Sequence, residues 1–60
     1  MSILTVRDAL RAAGIAGADS ATMTLGPGEV QIYTVGGSQV TRPAGESSAK
    51  SASYIVAALS

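Results

Sequence analysis

The most suggestive chemical motif in this sequence is Ser47-Ser48-Ala49-Lys50. It fits the S-x-x-K spacing, in which one helical turn sets a lysine amine beside a nucleophilic serine hydroxyl. The companion S-D-N and K-T-G motifs of that acyl-transfer chemistry are absent, and sixty residues are too few to build its active site. In a chain with eight serines the motif is read as the polar start of a helix. The carboxylates offer no stronger case. Paired acid and base catalysis needs two of them held across a cleft. Glu29 falls at the start of a strand, Glu46 in a connector, Asp19 in a loop, and Asp8 at a helix cap. No cluster of oxygen ligands suits a hard cation. The sequence has no His and no Cys, so the commonest general base, the thiol nucleophile and the soft metal ligands are all missing. Gly26-Pro27-Gly28 and Gly36-Gly37 are turn sequences, not phosphate cradles. The chain is therefore read as non-enzymatic, with no cofactor and no metal site.

Tyr33 and Tyr54 are the only aromatic residues. Tyrosine is enriched where protein meets protein, because it couples apolar area to a polar tip. If Gln31, Tyr33 and Val35 share an outward strand face, they form a surface for another subunit. The closing segment gives a second candidate in Tyr54, Ile55, Val56 and Leu59, which is more apolar than a free tail should be. Nucleic acid is not an expected partner. Arg7, Arg11, Arg42 and Lys50 are balanced by Asp8, Asp19, Glu29 and Glu46 to a net charge of zero, with no basic patch.

The elements that must position these residues can be read from spacing. Thr5-Val6-Arg7-Asp8 resembles a capping box, with Thr5 satisfying a free N–H and Asp8 reaching back. Val6, Ala9, Leu10 and Ala13 then recur at helical spacing, and Gly14 supplies a left-handed stop over which Ile15 can fold toward Leu10. This predicts a short helix from about Thr5 to Ala13. After the small-residue connector 16–20 the period becomes two. Ala21, Met23 and Leu25 alternate with Thr22 and Thr24. Gly26-Pro27-Gly28-Glu29 suits a type II turn, and Glu29 to Val35 forms a second strand. Gly36-Gly37 predicts a two-residue hairpin turn, with a third strand from Ser38 to Arg42 ended by Pro43. After the connector 43–48, residues 47–59 place Ala52, Ile55, Val56 and Leu59 on one helical stripe, with Ser47 or Ser48 as cap. The expected fold is α+β: a short N-terminal helix, a three-stranded antiparallel meander and a C-terminal helix. The alternative is a mostly β fold with residues 52–59 as a fourth strand.

Composition then bears on how such a chain holds together. Apolar residues make up 47%, but eleven of them are alanine, leaving sixteen larger apolar side chains beyond Met1. One domain of this size is near the limit for a single core, and disulfides and soft metal sites are closed to it. Only 13% of residues are charged, which separates the chain from the strongly charged disordered class. The function expected is a small structural or assembly subunit acting through homo-oligomerisation or on a larger protein assembly, such as a head-decorating or tail-associated part of a phage-type virion. The alternative is a small phage- or plasmid-type regulator binding a protein or nucleic acid. Arg7 and Asp8 interrupt the N-terminal apolar residues too early for a signal peptide, and the run Tyr54–Leu59 is far too short to span a bilayer. Synthesis in the cytoplasm, with no membrane association, is the corresponding expectation.

Overall fold

A computed structural model describes residues 3–60. Helix α1 runs from Ile3 to Ala12, a single 3-10 turn covers Ala18–Ser20, and strands β1 (Thr22–Gly26), β2 (Val30–Val35) and β3 (Ser38–Pro43) follow. Helix α2 occupies Ser48–Leu59 and closes the α+β order. The sheet is a meander, β1-β2-β3, antiparallel throughout. The fourth-strand alternative for residues 52–59 is thus excluded.

Helix α1 ends as its sequence implies. Gly14 takes φ +71°, Gly14 N–H donates to Arg11 O at 3.0 Å, and Ile15 N–H donates to Leu10 O at 2.9 Å. This is the paired bonding of a Schellman motif, and Ile15 packs onto the core beside Leu10. The start of α1 differs from the expected capping box. The helix already includes Ile3 and Leu4, so Thr5 lies inside it and has no orphan N–H to cap. Asp8 instead accepts from Arg11 Nη1 at 2.6 Å, one turn further on.

Helix α2 begins where Ser47 Oγ accepts from Lys50 N–H at 3.2 Å, a side-chain N-cap. Its stripe of Ala52, Ile55, Val56 and Leu59 faces the core. Both hairpin turns follow their glycines. Gly36 and Gly37 have φ of +54° and +87°, joining Val35 to Ser38. Gly28 has φ +79°, as the third position of a type II turn requires. That loop is one residue longer than expected: Glu29 also turns left-handed at φ +57°, so β2 starts at Val30.

Burial shows how the layers stack. Val6 and Leu10 of α1, Tyr33 and Val35 of β2, and Ala52 and Ile55 of α2 form the core with Ala18 and Ala21. Along β2 only alternate residues, Gln31, Tyr33 and Val35, are buried, so the helices cover one face of the sheet and leave the other bare. The connector after α1 docks on the hairpin at the far end. A Cβ at Gly17 would stand 2.8 Å from Gly36 N, so the two backbones touch where only glycine fits.

Candidate interaction surface

The seven residues expected at an interface are split by the fold. Gln31, Tyr33 and Val35 do share a face, but it is the inner one, and all three are buried. The alternation was legible, but its direction was not. Val30 and Ile32 are as apolar as Tyr33 and Val35, so pattern alone does not say which set faces the helices. Gln31 is accommodated inside because its Oε1 accepts from Tyr33 Oη at 3.1 Å. Ile55 is also buried, and Val56 and Leu59 pack partly against the core. Tyr54 alone of the seven is largely exposed, at 50%.

Tyr54 belongs to a polar cluster that ties α2 to β3. The Arg42 guanidinium carbon lies 3.8 Å from the centre of the Tyr54 ring. The same guanidinium grips Glu46 bidentately, Nε to Oε1 at 2.7 Å and Nη2 to Oε2 at 2.5 Å, and Ser51 Oγ donates to Glu46 Oε1 at 2.9 Å. The Arg42 and Glu46 side chains retain only 18% and 10% of their exposure. Arg42 holds the Glu46 carboxyl down at a pKa of about 2, with Ser51 adding to the effect and partial burial opposing it. Strand alternation contains the signal for this cluster, because Arg42 falls on the same face as Val40 and so points toward the helices.

Arg7, Arg11, Asp8 and Asp19 are also engaged. Arg7 Nε donates to Ala21 O at 2.8 Å. Arg11 bridges Asp8 and Asp19 across the end of α1. The S-x-x-K serine caps a helix, its hydroxyl occupied by the Lys50 backbone N–H. Among the described residues no group of three or more His, Cys, Asp or Glu could hold a metal ion.

What remains open is the second face of the sheet and its free edges. Thr22, Thr24, Ile32, Thr34, Gln39 and Thr41 form the bare face in cross-strand rows, with Gly26, Val30 and Pro43 at one end. Not one of these residues is charged. No protein-family model, curated protein or solved structure matches the chain. The functional reading therefore rests on this geometry. Leu25, at the end of β1, is 75% exposed, and Leu4 on α1 is 60% exposed. Sequence reasoning missed Leu25 because alternation with Ala21 and Met23 places it on the inner face, whereas the helices do not reach that far along the strand. Among the described residues, no helix is long and apolar enough to cross a membrane.

Proposed function

We propose that this chain is a non-enzymatic structural or assembly subunit that works by self-association. The observation that carries this reading is the bare, charge-free sheet face, which lies opposite the face on which the helices pack. A two-layer domain with an uncharged β surface can add a further layer without desolvating a charge. The exposed Leu25 at its margin supports the same reading. A place on a phage-type virion, as a decorating or tail-associated piece, suits a small neutral chain that is stabilised by neighbours.

Three of the four cations already bond acids or a carbonyl within the chain, so a phosphate backbone would have to displace those partners. That weighs against the nucleic-acid form of the regulator alternative. Sedimentation equilibrium over a wide concentration range tests the proposal. The expected result is a mass rising above the 5.9 kDa of one chain. A folded monomer at every concentration up to about millimolar, the weakest range of specific association, would overturn it.

A further inference from the structure

We infer that a second copy of this chain pairs with the first through the free edge of β1, antiparallel about a two-fold axis at Thr24. This rests on the self-association reading above and adds an edge contact to the open sheet face.

The direction of backbone groups follows from the hairpins. In an antiparallel ladder, alternate residues of a strand aim both N–H and C=O at the same neighbour. The two-residue turn at Gly36-Gly37 makes Val35 and Ser38 a hydrogen-bonded pair, so Val35, Tyr33 and Gln31 address β3. Ala44 N–H donating to Glu29 O at 3.0 Å continues the same set one step further. Thr34, Ile32 and Val30 therefore address β1, where their partners are Thr22, Thr24 and Gly26. The residues between them, Met23 and Leu25, direct their N–H and C=O groups out of the sheet edge.

That edge is closed at both ends. The preceding residue of the same set, Ala21, has its carbonyl taken by Arg7. The following one, Pro27, has no N–H to give. Two donors and two acceptors remain, on Met23 and Leu25. A two-fold axis at Thr24 sets Met23 opposite Leu25 of the second copy and Leu25 opposite its Met23, satisfying all four. The same register covers the exposed Leu25 with an apolar cross-strand partner. Residues 22–26 carry no charge, so two copies meet without repulsion. A dimer closed in this way leaves no β1 edge to propagate a fibre. The β3 edge offers Gln39 and Thr41 in the equivalent places, but both are exposed polar residues, and Val40 between them is already partly buried against the core.

The absence of native cysteine makes a direct test available. In the inferred register Thr24 faces Thr24 of the second copy as a non-hydrogen-bonded pair, with Cα atoms about 4.5 Å apart, within disulfide reach. Thr24→Cys is expected to cross-link under mild oxidation to twice the chain mass, whereas Thr22→Cys and Thr41→Cys remain uncross-linked. Leu25→Lys, at a surface position, is expected to leave the circular dichroism spectrum unchanged and weaken the dimer by about tenfold or more. If the wild type self-associates but Thr24→Cys does not cross-link and Leu25→Lys associates as before, the β1 contact is wrong while the assembly reading stands. A wild type that stays monomeric overturns both.

Discussion

Arg42 and Glu46 are four residues apart, yet they are not neighbours on a helix: Pro43 to Gly45 carry the chain around a corner between them. Their pairing therefore fixes the path of that corner as well as neutralising charge, and Tyr54 and Ser51 extend the contact into α2. A carboxyl whose folded pKa of about 2 lies below its ordinary 4.5 stabilises the fold fully above about pH 4.5. That contribution is lost as pH falls from about 4.5 toward about 2. Thermal melts across this window should show falling stability, and Glu46→Gln should melt lower at pH 7 with a flatter acid limb. An unchanged acid limb in the variant would place the titration elsewhere. Ile55 illustrates a different residue-level point. Its chemistry suits either an interface or a core, and only its complete burial in one cluster with Val6, Leu10 and Tyr33 decides for the core. Ile55→Ala should thus cost about 2–5 kcal/mol in urea denaturation, as deletion of buried aliphatic carbon does. Truncating a surface residue would cost far less. The buried direction of Gln31 was the part of the site least visible in sequence, since it depends on which sheet face the helices choose, whereas Arg42 could be placed by its alternation with Val40.

Elements were more legible than sites because their signals are local. Gly14 with Ile15, Ser47 with Lys50, and Gly36-Gly37 each act within a few residues, and each forms the cap or turn its sequence implies. The start of α1 misled for a related reason: Thr-x-x-Asp is a cap only if the helix begins there, and Ile3 and Leu4 extend it upstream. Contacts between elements left no local trace. The meeting of Gly17 with Gly36 joins residues nineteen apart, and nothing beside either one announces it. Gly17→Ala should be costly for two reasons: φ is +83°, and the added carbon would meet backbone atoms that cannot rotate away. A loss of about 2 kcal/mol or more is expected in chemical denaturation. At Gly28, also left-handed at φ +79° but with open space around it, alanine should cost less, because only the backbone preference opposes it. Equal losses at the two positions would mean that the connector and the hairpin are not in contact in solution.

The whole molecule has a radius of gyration of 10.2 Å, close to the roughly 10 Å expected of a packed sixty-residue domain. Its compactness is reached with a thin core, since among the described residues three of the eight buried apolar ones are alanine. A sheet covered on one side only gives such a chain little reserve as a monomer. Any association of the folded form then adds directly to its stability, because a partner that binds only the native state draws the folding equilibrium toward it. Melting temperature should consequently rise with protein concentration. When the concentration reaches about a hundred times the dissociation constant, the gain is about 2.7 kcal/mol. In a domain of this size each kcal/mol shifts the midpoint by about 4–8 °C. Scanning calorimetry at two concentrations a hundredfold apart should therefore separate the midpoints by several degrees. The separation should shrink in Leu25→Lys, whose monomer keeps the same core. Midpoints that coincide in the wild type would mean that the thin core suffices by itself, and that neither the bare sheet face nor the β1 edge holds a second copy of the chain.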